Sequence, residues 1–222
     1  MKMPDSQCKN GTVRGAVTAR GVLFVVSSPS GGGKGTLIHR ALNELPDVGY
    51  SVSYTTRAPR NGELDGREYF FVTPQRFEQM IANNEFLEWA QVHGKLYGTN
   101  RIQVSSEMSK GRDIILEVDV QGAASVRDLV RDSVSVFILP PSFEILRQRL
   151  IARGTDTEEE LQLRLRNAPE ELKKYVLFDY VIINDDADRA AMQLASIVYA
   201  ERARLRRQAE HVNRIVAGFT SN

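Results

Sequence analysis

Short, almost continuously apolar runs alternate with stretches of helical period along this chain. Val22-Leu23-Phe24-Val25-Val26 is the first, and Asp113–Val120, centred on Ile114, Ile115 and Leu116, is the second. Val134–Leu139, closed by Pro140-Pro141, and Tyr180–Ile183 are the third and fourth. Apolar runs of this length without alternation predict strands covered on both faces, as in a parallel sheet. Helical sequence lies near each run; Thr36–Leu45 follows the first and stops at Pro46. Strand, glycine-rich turn and helix in that order begin a βαβ unit. The pattern therefore predicts a three-layer α/β fold with helices on both faces of a parallel central sheet.

Two segments break the rhythm. Residues 57–106 are rich in Gly, Arg, Tyr and Phe and mix strand-like with short helical pieces, which predicts an inserted subdomain. Residues 143–175 are helical, highly charged and interrupted at Arg153-Gly154-Thr155, which predicts a mobile helical hairpin. From Asp188 to Arg214 one long helix is expected. Its Arg202, Arg204, Arg206 and Arg207 fit a solvated face better than a phosphate site. The expected division is a disordered leader 1–20, a domain 21–206 with core parts 21–56, 107–142 and 176–206, and a helix end and tail at 207–222.

Composition narrows the class. With 222 residues, 42% hydrophobic and 26% charged, the chain suffices for one well-cored globular domain. Its 29 Lys and Arg balance 28 Asp and Glu, so no overall charge draws it to nucleic acid or an anionic membrane, and neither is an expected partner. Cys8 alone makes no intramolecular disulfide, and the leader lacks the apolar stretch of a secretory signal. No apolar run approaches the ~20 residues of a membrane span. A cytoplasmic protein, monomer or homo-oligomer, is the expectation.

The first chemistry lies between the first strand and helix, in Ser28-Pro29-Ser30-Gly31-Gly32-Gly33-Lys34-Gly35-Thr36. Successive glycines let backbone N–H groups turn inward around an anion, and a helix N-terminus adds its positive end. Lys34 is then placed to bridge the β- and γ-phosphates of a nucleotide. The loop departs from G-x-x-x-x-G-K-[ST] twice. Ser28 replaces the first Gly, and Gly35 stands where a hydroxyl meets Mg²⁺, with Thr36 one residue late. A Thr36 hydroxyl meets phosphate or a metal-bound water, and the direct protein ligand to Mg²⁺ stays open.

The acceptor is indicated by further motifs. Ser51-Val52-Ser53-Tyr54-Thr55-Thr56-Arg57-Ala58-Pro59-Arg60 precedes Gly62-Glu63-Leu64-Asp65-Gly66-Arg67-Glu68-Tyr69-Phe70-Phe71-Val72. Phe86-Leu87-Glu88-Trp89-Ala90, Tyr97-Gly98-Thr99 and Ile115-Leu116-Glu117-Val118-Asp119-Val120-Gln121-Gly122 follow. With the glycine-rich loop, R-G-T-D-T-E-E and F-D-Y-V-I-I-N-D, this ordered set from Gly21 to Arg202 resembles the guanylate kinase family. Lys95-Leu96 before Tyr97 departs from the aromatic or small polar residue common there.

The resemblance implies an ATP-dependent enzyme that phosphorylates GMP, and dGMP, to the diphosphate with Mg²⁺. Its fold is that of a P-loop nucleoside monophosphate kinase, in which 57–106 binds GMP and 143–175 is the lid. It assigns guanine's N1–H and N2–H₂ to Glu88 and Asp119, aided by Ser53 and Thr99, and the 5′-phosphate to Arg57, Arg60, Tyr69 and Tyr97. The chemistry agrees: ionised carboxylates only accept hydrogen bonds, guanine presents adjacent donors, and adenine presents an acceptor at N1. ATP falls to Ser28–Thr36, Arg149 and Asn184, with Asp185 near the adenine. Lys34, Arg57, Arg153 and Arg164 are the expected catalytic residues. Glu117 either holds a water on Mg²⁺ or is structural. Two rivals are a phosphopeptide-binding scaffold domain and a kinase for another acceptor. The intact Lys34 loop opposes the first, and Glu88 with Asp119 opposes the second. A nucleotide-hydrolysing switch finds no N-K-x-D-like guanine reader.

Overall fold

The computed structural model describes residues 20–92, 94–154 and 157–220. Residues 1–19 of the expected leader 1–20, Cys8 among them, Thr155 of the expected hairpin break, and the tail end at 221–222 lie outside the described residues. The chain runs through β1 (Leu23–Ser27), α1 (Lys34–Asn43), β2 (Gly49–Ser51), β3 (Tyr54–Thr55), β4 (Phe70–Phe71), α2 (Pro74–Ala82), β5 (Phe86–Val92) and β6 (Lys95–Asn100). It continues through α3 (Arg101–Ser109), β7 (Ile114–Glu117), α4 (Val120–Leu129), β8 (Val134–Leu139), α5 (Phe143–Arg153) and α6 (Glu158–Leu172). After a 3₁₀ turn at Lys173–Leu177 come β9 (Tyr180–Ile183), α7 (Ala187–Arg202) and α8 (Leu205–Thr220).

The main sheet has the order β2-β7-β1-β8-β9 and is parallel throughout. β1 is buried at every position because its two faces serve two cores. Phe24 and Val26 pack with Leu37 and Ile38 of α1 and Leu194 and Val198 of α7. Leu23 and Val25 pack with Val104 and Met108 of α3 and Ala123 and Val126 of α4. These are the three layers that the apolar runs predict.

A second sheet, β4-β3-β6-β5, mixes parallel and antiparallel pairs and has its own small core of Phe77, Met80 and Phe86. It takes in β3, upstream of the expected boundary at 57, while α3 packs under the main sheet although most of it lies before 106. The hairpin of α5 and α6 closes over a third cluster, Leu146, Leu150, Leu165 and Ala168. Thr157 and Glu160 form a capping box that starts α6.

Three expectations are corrected. The strand expected over 113–120 ends at Glu117, because the Asp119 carboxylate accepts the Gly122 N–H at 2.9 Å and starts α4. β2, of 3 residues, is too short to show a period in the sequence. The helix expected over 188–214 is two helices. Arg202 is drawn aside by Asp113 at 2.6 Å and Asp47 at 3.0 Å, and Gln208 Nε2 caps the Arg202 carbonyl at 2.8 Å. Arg204 and Arg207 turn back on Glu201, which is 1% exposed, and Arg206 pairs with Asp132. The arginine cluster is therefore paired with acids and is not a plain solvated face. Among the described residues no helix is long and apolar enough to cross a membrane.

Because the second sheet has its own core, emptying that core should loosen the sheet alone. Phe77→Ala removes a fully buried ring, a change worth ~3–5 kcal/mol. Amide exchange should accelerate about a hundredfold or more in β5 and β6 and stay unchanged in β1 and β8. Uniform acceleration across both sheets would contradict the separation.

Candidate functional site

The carboxyl ends of the parallel strands carry the chemistry. The Ser28–Thr36 loop follows β1, Ser53 follows β2, Glu117 and Asp119 end and follow β7, and Asn184 follows β9. Open parallel sheets place ligands in the crevice at this edge. Here it is a cleft of about 930 Å³ between main sheet, second sheet and hairpin. Its wall includes Ser28, Ser30 to Thr36, Ser53, Arg57, Arg60, Tyr69, Glu88, Tyr97, Glu117, Asp119, Arg149, Arg164 and Asn184. Three expected residues stand behind it or away from it. Pro29 turns the loop through its carbonyl, which accepts from Gly32 N–H at 2.9 Å; Thr99 is fully buried; Asp185 is bound to Arg189. The Arg153 side chain lies outside the described residues.

Gly31 and Gly33 take left-handed φ values of 83° and 85°, so the backbone turns tightly into α1. Lys34 Nζ lies 3.5 Å from Glu117 Oε1, and the Tyr50 hydroxyl donates to Glu117 Oε2 at 3.0 Å. Burial, reinforced by the Glu117 charge, pushes the Tyr50 phenol far above its ordinary range, so it remains a donor. A Cβ at position 35 would lie 3.3 Å from Glu117 Oε2. The Glu117 carboxylate thus lies close to the direction a side chain at 35 would take and would have to give way slightly to one.

The hairpin meets the loop from above. Arg164 Nη1 donates to Ser30 Oγ at 2.6 Å, and Ser30 N–H donates to Glu171 Oε2 at 3.1 Å. Arg149 Nη2 donates to the Asn184 carbonyl at 2.8 Å, and Asn184 Nδ2 donates to the Gly32 carbonyl at 3.0 Å. Asn184 is 4% exposed, and among the described residues its Oδ1 is buried without a hydrogen-bond partner.

Across the cleft, Glu88 is 7% exposed and accepts the Thr99 hydroxyl at 2.6 Å. A Cβ on Gly122 would lie 2.7 Å from Glu88 Oε2 and 3.2 Å from Asp119 Oδ1, so both carboxylates converge on that glycine. Burial, then the Asp119 charge, pushes the Glu88 carboxyl up to about 7, against the pull of Thr99. Beside this pair, Arg57 lies over the Tyr69 ring at 5.2 Å, and Tyr69 meets Tyr97 edge-on at 5.9 Å.

Tyr50, Glu63 and Glu171 are among the side chains at this site to which the sequence assigns no role. Glu63 binds Arg57 through two 2.9 Å contacts and accepts the Arg60 backbone N–H at 2.7 Å. Burial pushes Glu63 up, but Arg57 and Arg60 outweigh it and hold the carboxyl below its usual range. Its place in the quoted glycine-rich stretch is the one signal that points to it; Tyr50 and Glu171 meet their partners only through the fold.

The guanylate kinase family model matches residues 20–201. A guanylate kinase of Symbiobacterium thermophilum is 49% identical over 185 residues, covering 83% of this chain and 88% of that protein. One of Thermotoga maritima is 43% identical, covering 88% and 94%. The crystal structure of a guanylate kinase from Anaplasma phagocytophilum superposes with a TM-score of 0.70 at 35% identity, over 85% of this chain and 89% of that one. Sequence, sheet order and cleft agree with a match that spans most of the chain: it belongs to the guanylate kinase family.

Proposed function

We propose that this protein transfers the terminal phosphoryl of ATP to GMP, or dGMP, yielding ADP and the nucleoside diphosphate. An oxygen of the GMP phosphate attacks the γ-phosphorus while the bond to ADP breaks. Such a transfer needs positioning and charge neutralisation more than a covalent protein group. One observation carries the reading: the buried Glu88 carboxylate and the half-buried Asp119 carboxylate converge on Gly122 in the same cleft as the Lys34 loop. Acceptor oxygens held apart from water suit guanine's N1–H and N2–H₂ and repel adenine's N1.

Within this reading Glu88 and Asp119 hold the base with Ser53, and Thr99 orients Glu88. Arg57, Arg60, Tyr69 and Tyr97 take the 5′-phosphate. The loop Ser28–Thr36 cradles the ATP phosphates with Lys34, and Arg149 and Arg164 approach them from the lid; Arg153 joins them as an expectation from the sequence. Asn184 faces the adenine side. The division into core, GMP-binding subdomain 57–106 and lid 143–175 goes with the same proposal, as does a cytoplasmic location.

Mg²⁺ fits the donors present. Among the described residues no three His, Cys, Asp or Glu side chains gather as a metal cage. A small hard cation suits one or two protein oxygens plus phosphates and waters. Glu117, steadied by Tyr50 and Lys34, and Thr36 would hold it with the nucleotide. When bound it supplies neutralisation of the β- and γ-phosphate charge.

A panel of nucleoside monophosphates with ATP tests the proposal: GMP and dGMP should turn over, and AMP, CMP and UMP should not. Arg57→Ala should raise KM for GMP about a hundredfold, the loss of one or two charged hydrogen bonds, with KM for ATP unchanged. Equal changes in both constants would reject the assignment. A second expectation concerns pH. Protonation turns one Glu88 oxygen into a donor facing guanine's own donors and removes the carboxylate charge, and burial pushes this carboxyl up to about 7. KM for GMP should be flat above that pH and rise up to about tenfold per unit below it. A constant KM down to about pH 5.5 would contradict the role of an ionised Glu88.

A further inference from the structure

Arg57 does not reach into the cleft as a loose cation. Its side chain is 13% exposed and that of Glu63 15%, and the two are joined end to end, Nη1 to Oε2 and Nη2 to Oε1, both at 2.9 Å. The second Nη1 hydrogen goes to the Ala58 carbonyl at 2.8 Å. A guanidinium carries five N–H donors in a rigid plane. These three contacts use its end and one flank, and among the described residues leave Nε–H and the outer Nη2 hydrogen as a paired edge. The Tyr69 and Phe71 rings, 5.2 and 5.8 Å from Arg57 Cζ, hold the plane. The same Glu63 carboxylate accepts the Arg60 backbone N–H at 2.7 Å, and Glu63 N–H returns to the Arg60 carbonyl at 3.1 Å. One acid thus ties together the residues that carry both guanidinium groups.

We infer that Glu63 is the positioning residue of the phosphate clamp, presenting the free edge of Arg57 to the 5′-phosphate while fixing the turn that carries Arg60. This rests on the proposed assignment of that phosphate to the two arginines. Glu63 touches neither substrate nor reacting atoms. It acts by preorganisation: an arginine free in water gives up rotamer freedom when immobilised, and here the guanidinium is already held. Its charge also interacts with both Arg57 and Arg60 and so offsets part of their mutual repulsion. The negative charge of Glu63 weakens the pull of Arg57 on a phosphate, and fixed geometry outweighs that loss.

The test compares GMP with guanosine, which shares the base and lacks the phosphate. In Glu63→Gln the affinity for GMP should fall at least about tenfold, the scale of one charged hydrogen bond. Affinity for guanosine, KM for ATP and the melting temperature should stay within small error, and Glu63→Asp should recover part of the loss. In an Arg57→Ala background Glu63→Gln should cost clearly less than in the unaltered protein, because only the Arg60 turn is left for the acid to hold. Unchanged or tighter GMP binding in Glu63→Gln, equal losses for GMP and guanosine, or additive losses in the double variant would each overturn the inference. If Arg57→Ala alone left GMP affinity unchanged, the phosphate assignment itself would fail and this inference with it. If Arg57→Ala weakened GMP while Glu63→Gln did not, only the role of Glu63 would fall.

Discussion

The buried Glu88 carboxylate constrains everything around it. Taking an ionised carboxylate out of water costs several kcal/mol unless bonds replace the lost hydration. Thr99 supplies one such bond; the nearby Asp119 raises the cost instead of lowering it. The result is an acid poised near neutrality whose unmet capacity is for donors, which is what a guanine edge offers. Gly122 is part of the same constraint, because any side chain there would fill the space where the two carboxylates meet.

Delivery of these groups depends on layered packing. Glu117 and Asp119 come from the end of β7, and Lys34 from the turn after β1, its parallel neighbour, with Val26 in register with Glu117. Glu88 comes from the second sheet. The second sheet and the α5–α6 hairpin each have their own small apolar cluster, apart from the two cores of the main sheet. Each half of the site can therefore keep its internal geometry while the halves move against one another, which suits an enzyme that must admit two nucleotides and then exclude water. Ser30 marks the junction, where Arg164 and Glu171 of the hairpin hold the phosphate loop.

What the sequence disclosed follows the range of the forces involved. Buried strands were legible because burial on both faces leaves an unbroken apolar run, as in β8, which matches its expected limits; β9 matches too, although it is an edge strand with Val181 and Ile183 exposed. The phosphate loop was legible because its glycines, lysine and helix start act within a few residues. Glu88, Asp119 and the arginine pair are ordinary surface acids and bases when taken singly, and only their order among other motifs set them apart. The end of α7 was not legible, since no Gly or Pro marks it and Asp47 and Asp113, remote in the chain, turn it. Tyr50 and Glu171 escaped for the same reason: their partners, Glu117 and Ser30, are brought to them only by the fold. Glu63 escaped although its partners are local, because a turn has no period to read.

Selection of guanine by two paired acceptors is tested most directly by IMP, which keeps the N1–H and lacks the 2-amino group. With ATP saturating, kcat/KM for GMP should exceed that for IMP by about ten- to a hundredfold, the cost of leaving a buried acceptor unpaired. In Glu88→Gln that ratio should fall toward unity. Equal use of GMP and IMP by the unaltered protein, or a ratio indifferent to Glu88→Gln, would contradict base reading by this acidic pair.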